Sequence, residues 1–266
     1  MHRFEGRRVI VSGGASGIGK ATVLRLLDEQ ATVVATDINE SALENLVGEA
    51  ANRNLVERLT TLRMDIGDEA SVTSGIASAI STLGGLDVLV NAAGILRSTH
   101  TETTSLDDFN LVIRINLTGT FLTIRESLPA LIQSPKSVIV NFSSTSANFA
   151  HPYMSAYAAS KGGILSMTHA IAAEFSEQGL RAVCVAPGGI ATPLVAGAGH
   201  PEDANFELFA KHRPALKAKS GSDIESLADA SLGAPENVAG VVAMLASDDG
   251  AYITGTEVRI DGGAHM

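Results

Sequence analysis

The chain has 266 residues, 45% of them hydrophobic, and a formal net charge of −10. That supplies enough apolar material for one large core, and no basic cluster is long enough to track a phosphate backbone, so neither nucleic acid nor an anionic membrane is an expected partner. A single cysteine, Cys184, excludes an intramolecular disulfide, and the seven histidines are scattered without ligand spacing, so no metal is expected.

The first residues run into only a short apolar segment, Val9-Ile10-Val11, with no signal-peptide core and no membrane-spanning run. The cytoplasm is therefore the expected location. Short β-branched runs then alternate with helical patterns. Strands are expected at Arg8–Ser12, Thr32–Thr36, Arg58–Met64, Val88–Val90, Ser137–Phe142, Arg181–Val185 and Glu257–Ile260. Helices are expected at Gly17–Asp28, Ser41–Ala50, Glu69–Thr82, Leu106–Ile132, Ser155–Glu177 and Pro235–Ala246. This alternation, with strands apolar on both faces, predicts an α/β fold: one Rossmann-like, doubly wound domain over residues 1–266. Its core is a parallel sheet of about seven strands with helices on both faces. The stretch from Pro193 to Ala234 breaks the rhythm with glycines, prolines and mixed charge. A long irregular excursion of this kind is expected to be a substrate lid, with one helical piece at Asn205–His212.

Ser12-Gly13-Gly14-Ala15-Ser16-Gly17-Ile18-Gly19 follows the first strand and opens the first helix. Glycines at 13, 17 and 19 allow a tight turn and close approach of a pyrophosphate to the helix N-terminus, where free N–H groups favour anions. Asp37 ends the second strand, where a carboxylate can accept hydrogen bonds from ribose hydroxyls and would repel a 2′-phosphate. Positions 16 and 38 carry Ser16 and Ile38 rather than a basic residue, which favours NAD over NADP. Asp37 could instead cap the next helix, and Asp65 or Asp68 could cap the one after. Tyr157 and Lys161 stand one helical turn apart, so a phenol and an ammonium should share a face. The ammonium would lower the tyrosine pKa toward neutrality, and a shift from about 10 to about 7 needs roughly 4 kcal/mol.

Ser12–Gly19, Asn91-Ala92-Ala93-Gly94, Ser144 ahead of Tyr157 and Lys161, and Pro187-Gly188 followed by Thr192 together resemble the short-chain dehydrogenase/reductase family. The motifs span almost the whole chain. Two departures are small: Ser12 replaces a common threonine, and Ala92 replaces the second of two asparagines. The resemblance implies a catalytic set of Asn116, Ser144, Tyr157 and Lys161, with Tyr157 as general acid and base. Lys161 would lower its pKa and hold the nicotinamide ribose, Ser144 would bond the substrate oxygen, and Asn116 would order a water near the lysine. The implied NAD contacts are Gly13, Ser16, Gly17, Ile18 and Gly19 at the turn, then Asp37, Ile38, Asp65 and Ile66 around the adenosine. Asn91, Ala92 and Gly94, with Tyr157, Lys161, Pro187, Gly188, Ile190 and Thr192, complete the set.

Alternation along the strand turns Ser143 away from Ser144, and Tyr153 is expected to line the substrate pocket. Cys184 reads as an inert core thiol, and His151, His200 and His212 fall near the substrate region. The expected function is NAD(H)-dependent interconversion of a secondary alcohol and a ketone. The substrate class stays open among cyclic alcohols, sugars or polyols, 3-hydroxyacyl thioesters and dihydrodiols. A non-catalytic NAD-binding regulator on the same fold is the alternative from another class. The resemblance also implies a homotetramer or homodimer.

Overall fold

The computed structural model describes residues 2–208, 214–216 and 232–266. Seven parallel strands form one sheet in the order β3-β2-β1-β4-β5-β6-β7. They are β1 (Arg8–Ser12), β2 (Thr32–Asp37), β3 (Leu59–Arg63), β4 (Val88–Asn91), β5 (Val138–Phe142), β6 (Arg181–Pro187) and β7 (Glu257–Ile260). Side chains alternate across a strand, and the two cores follow that period. Val9 and Val11, Val33 and Ala35, and Val88 and Val90 enter one core. Ile10, Val34 and Leu89 enter the other. Helices α1 (Gly17–Asp28), α2 (Glu40–Asn52) and α8 (Pro235–Ala246) cover the first face. Helices α3 (Glu69–Leu83), α5 (Gly119–Leu131) and α6 (Ser155–Glu174) cover the second. The short helices α4 (Leu106–Val112) and α7 (Pro193–Ala196) sit at the sheet's carboxyl edge. No helix among the described residues is long and apolar enough to cross a membrane.

Helix starts are set locally. Asn39 Oδ1 accepts the Ala42 N–H at 3.1 Å, Asp68 Oδ1 the Ala70 N–H at 3.1 Å, and Ser105 Oγ the Asp108 N–H at 3.0 Å. The caps of α2 and α3 are therefore Asn39 and Asp68, which leaves Asp37 and Asp65 for other work. Helix α1 has no side-chain cap.

The expected helix Leu106–Ile132 is not continuous. A π-helical stretch, Ile113–Thr118, separates α4 from α5. There the Thr120 hydroxyl donates to the Asn116 carbonyl at 2.7 Å, giving that carbonyl a side-chain donor that periodicity does not reveal. At the start of α5 a Cβ on Gly119 would lie 2.7 Å from the Ile66 carbonyl oxygen, so the helix runs against the chain leaving β3. The helix expected over Ser155–Glu177 ends at Glu174, followed by a separate turn at Ser176–Gln178 and Gly179 at φ 79°. Of the helix expected at Asn205–His212, the structure gives one turn at Phe206–Leu208; residues 209–213 lie outside the described residues. The roots of the excursion are joined by backbone bonds from Gly233 N to Gly189 O and from Ala191 N to Gly233 O, both 2.9 Å.

At the amino edge of the sheet, Asp87, just ahead of β4, ties Arg8 of β1 to Ser134 in the turn before β5. Its carboxylate accepts from Arg8 Nε (2.9 Å), Arg8 Nη2 (2.8 Å), the Arg8 backbone N–H (2.9 Å) and Ser134 Oγ (2.7 Å). Burial works to raise the Asp87 pKa, but the bonds from Arg8 and Ser134 outweigh it and hold the group down at about 2. Inside the second core, polar groups chain together. Thr123 Oγ1 donates to Asn91 Oδ1 (2.8 Å), Asn91 Nδ2 to Asn141 Oδ1 (2.9 Å), and Asn141 Nδ2 to Thr168 Oγ1 (2.8 Å).

Asp87→Asn should destabilise the protein by about 2 kcal/mol near neutral pH, because it leaves the Arg8 guanidinium without its carboxylate. The native group's pKa lies below its ordinary 3.8, so its contribution is complete above 3.8 and disappears as pH falls through about 2. Urea unfolding of both proteins across that range should show the gap closing; equal stabilities at pH 7 would refute the assignment.

Candidate active site

The strand order reverses between β1 and β4, and the loops leaving these strands diverge to open a cavity of about 960 Å³ along the carboxyl edge. The glycine turn builds one end. Gly13 adopts φ 67°, and a Cβ there would sit 2.6 Å from Ala93 Cα. A Cβ on Gly19 would sit 2.0 Å from the Gly13 carbonyl oxygen. No larger residue fits either place without moving backbone. Ser16, Gly17, Ile18 and Gly19 line the cavity where uncapped α1 begins.

Asp37 also lines this end, with Ile38, Asp65 and Ile66. Its carboxylate oxygens accept the Ala15 N–H (3.2 Å) and the Asn39 N–H (3.0 Å), which fixes the group beside the turn. Arg63, its partner across β2 and β3, turns to Glu40, with 3.8 Å between Nε and Oε1. Asp65 Oδ1 accepts the Gly67 N–H at 2.8 Å.

At the other end lie Ser144, Tyr157 and Lys161. Ser144 Oγ accepts the Ser146 N–H at 3.2 Å, and Ser144 is close enough to Tyr157 to act on the phenol's pKa. Ser143 turns the opposite way: its hydroxyl donates to the Val185 carbonyl at 3.1 Å and to Glu257. Lys161 Nζ lies 5.6 Å from the Tyr157 ring centroid and donates to the Phe142 carbonyl at 2.8 Å.

The expected depression of the phenol pKa is not a property of this arrangement. Burial raises Tyr157 to about 12, with Ser144 working in the other direction. Burial also lowers Lys161 to about 8, partly opposed by the electrostatic influence of Cys184. Both groups are pushed toward their neutral forms because each charge loses hydration. Cys184 is likewise buried, and desolvation raises it to about 11, in keeping with an inert thiol.

Two residues named from the sequence do not line the cavity. The Asn91 side chain points inward to Asn141 and Thr123 and braces the end of β4. Asn116 is fully buried. Its Oδ1 accepts the Ile95 N–H (2.8 Å), while its Nδ2 donates to the Ile95 carbonyl (2.9 Å) and to Ser160 Oγ (3.1 Å). It thereby fixes the loop beyond Gly94, where a Cβ would lie 3.1 Å from Asn116 Oδ1 and 3.8 Å from Lys161 Nζ. Ala92 and Gly94 do face the cavity, as do Pro187, Gly188, Ile190 and Thr192. Thr192 Oγ1 accepts the Val195 N–H that opens α7 and donates to the Ile190 carbonyl at 3.3 Å.

Tyr153 is also absent from the lining; its hydroxyl accepts the Asn205 N–H at 2.9 Å. His151 and His200 line the cavity, whereas His212 lies outside the described residues. Sequence reasoning missed Met64 and Phe142, both lining residues at or beyond strand ends, where the register alone could have placed them. Among the described residues no cluster of His, Cys, Asp and Glu is placed to hold a metal ion.

The family model described as enoyl-(acyl carrier protein) reductase matches residues 13–265. The chain is 34% identical over 261 residues to 3-oxoacyl-[acyl-carrier-protein] reductase FabG of Thermotoga maritima, covering 98% of each. It is 34% identical over 264 residues to 2,5-dichloro-2,5-cyclohexadiene-1,4-diol dehydrogenase LinX of Sphingobium indicum, covering 98% of this chain and 97% of the relative. Among solved structures, a 3-ketoacyl-(acyl-carrier-protein) reductase from Brucella melitensis complexed with NADH superposes with a TM-score of 0.84 at 26% identity, covering 98% of this chain and 99% of that one. With the sheet order, the glycine turn and the Ser-Tyr-Lys cluster, these matches place the chain in the short-chain dehydrogenase/reductase family of oxidoreductases.

Proposed function

We propose that the protein interconverts an uncharged secondary alcohol and its ketone with NAD(H), Tyr157 moving the proton. One observation carries this reading: a single cavity holds a fixed carboxylate and a glycine turn at one end and the Ser144–Tyr157–Lys161 cluster at the other. Asp37 favours the cofactor without a 2′-phosphate, and the neighbour solved with NADH supports the same choice. The residues fit such a group: Gly13 and Gly19 leave backbone where a Cβ could not stand, and α1 begins with N–H groups that no side chain caps. NAD, when bound, would accept or deliver the hydride at its nicotinamide.

Asp37 would hold the adenosine ribose, and Thr192 with the Ile190 backbone would orient the carboxamide. Ser144 would donate to the substrate oxygen and steady the charge that develops there. Tyr157 would take the hydroxyl proton in oxidation and return it in reduction. Since burial, opposed by Ser144, pushes the phenol up to about 12, Lys161 must stay charged and near it for oxidation to run at neutral pH.

The relatives' names point to an acyl thioester on a carrier protein and to a ring diol. Ile95, Leu96 and Met154 pack with Tyr157, and Leu194, Val195, His151 and His200 also line the cavity. Among the described residues that line the cavity, the Lys, Arg, Asp and Glu side chains are Lys161 and, beside the glycine turn and the end of β3, Asp37 and Asp65. This lining favours an uncharged ring bearing hydroxyl or keto groups.

Tyr157→Phe should lower kcat by at least about a thousand-fold and leave NAD affinity within a few-fold, read by NADH fluorescence and steady-state rates. Retained turnover would refute the role. Oxidation should speed up as pH rises, because it consumes the deprotonated phenol, and reduction should slow over the same range; parallel profiles would contradict this. Native protein should bind NAD at least several-fold more tightly than NADP, and Asp37→Ala should narrow that gap. Equal affinities in the unmutated protein would end the NAD assignment.

A further inference from the structure

Tyr153 holds a conformation that a bulky side chain seldom adopts: its φ is 64°, and among the described non-glycine residues Gln30 and Asn54 share that region. Strained backbone persists where surrounding contacts over-determine it, and here such contacts come from two other segments of the chain. The Tyr153 hydroxyl accepts the Asn205 N–H at 2.9 Å, and its carbonyl accepts the Thr99 N–H at 2.8 Å. Its ring meets the His100 ring edge to face, with centroids 5.0 Å apart at 81°. His100 Nε2 in turn lies 2.8 Å from Asp203 Oδ1. Two further bonds tie the same pieces of chain: Ser98 N–H to the Ala198 carbonyl (3.1 Å), and Ser98 Oγ to His200 Nδ1 (2.9 Å).

Three separate parts of the chain meet here. Residues 198–205 follow α7, and Ala198 and His200 line the cavity. Residues 98–100 belong to the loop after β4. Tyr153 stands just ahead of α6, with the cavity-lining Met154 next to it and Tyr157 one turn further on.

We infer that Tyr153 is a positioning residue that, with the His100–Asp203 pair, clasps the strap 198–205 across the substrate end of the cavity. The strap's closure is thereby tied to the backbone that leads into the helix carrying Tyr157. This rests on the proposed function for its consequence in turnover, but the clasp itself is a property of the protein alone. The titratable groups facing His100 are Asp203 from the strap, Glu102 from its own turn at 3.9 Å, and Tyr153. The bond to Asp203, opposed slightly by desolvation and aided by Glu102, raises the His100 pKa above 6.5. A raised histidine pKa means that the ion pair is complete at lower pH and is lost as pH climbs through the raised value. The clasp should therefore loosen on the alkaline side.

Hydrogen exchange of the strap, followed by mass spectrometry and corrected for intrinsic rates, tests the clasp without reference to catalysis. In native protein, protection of a peptide spanning 198–208 should fall by about three-fold between pH 6 and pH 8.5, the scale of one exposed pair. Tyr153→Phe should reduce protection at Asn205 by about five-fold, the scale of one hydrogen bond, and Asp203→Asn should remove the pH dependence. If turnover is found, both variants should raise KM more than they lower kcat, and the rise of KM with pH should vanish in Asp203→Asn. Unchanged protection in Tyr153→Phe, or a pH dependence that survives in Asp203→Asn, would overturn the clasp. Failure to find any turnover would count against the proposed function and leave the exchange result to decide the clasp.

Discussion

The site depends on how closely two loops pass each other where the strand order reverses. After β1 the chain must turn back into α1, and after β4 it must leave in the opposite sense. The two turns are in contact, and a single methyl group on Gly13 would collide with the Ala93 backbone. The same economy recurs one step later, where the Gly13 carbonyl occupies the space a side chain on Gly19 would need. Backbone-to-backbone packing of this kind brings N–H groups to the cavity surface and puts the end of β2 within reach of them. Asp37 is then held by the N–H of Ala15 on one side and of Asn39 on the other. The shape of that end is a consequence of packing that leaves no room for Cβ atoms.

The end that holds Ser144, Tyr157 and Lys161 obeys a different constraint, that of burial. A phenol and an ammonium sit in the same dry wall, and each is driven toward neutrality. Proximity along the helix does not by itself yield a phenolate, because the energy gained from a charge 5.6 Å from the ring competes with the hydration both groups have given up. Lys161 is positioned by the carbonyl of Phe142, at the end of β5, and Asn116 positions the loop on its other side. The geometry is therefore fixed in advance by strand ends and a π-helical break, and the protonation states are the part left to adjust.

Much of this was legible in the chain. The strands announced themselves because parallel strands are apolar on both faces, and the glycine turn because its spacing serves a backbone shape. Strand alternation sets Ser143 and Ser144 on opposite sides, and the spacing to Tyr157 in the family the chain resembles selects Ser144. What could not be read depended on partners distant in sequence. The interruption of the helix after Val112 involves a bond between Thr120 and the Asn116 carbonyl, and neither residue is unusual in a helix. The family resemblance sets Asn91 among the NAD contacts, while its place at the end of a strand reads as a brace, and the amide's bonds to Asn141 and Thr123 fit the brace. Tyr153 carried no signal for a positive φ, which its contacts with Thr99, His100 and Asn205 impose from outside.

The buried amide chain also has a bearing on how the sheet is assembled. Asn91 and Asn141 are direct partners in the pairing of β4 with β5, both in an interior where the remaining neighbours are largely aliphatic. Valine-rich strands have little of their own to distinguish one alignment from the next, since sliding by two residues merely exchanges one aliphatic contact for another. Two carboxamides that must meet remove that ambiguity, because a slip would break the bond between them and leave the Asn91 amide N–H and the Asn141 carbonyl oxygen buried without each other. The pair works as a registration key: it selects a single alignment for the two central strands, and with it the positions of Gly94 and Ser144 on either side of the cleft.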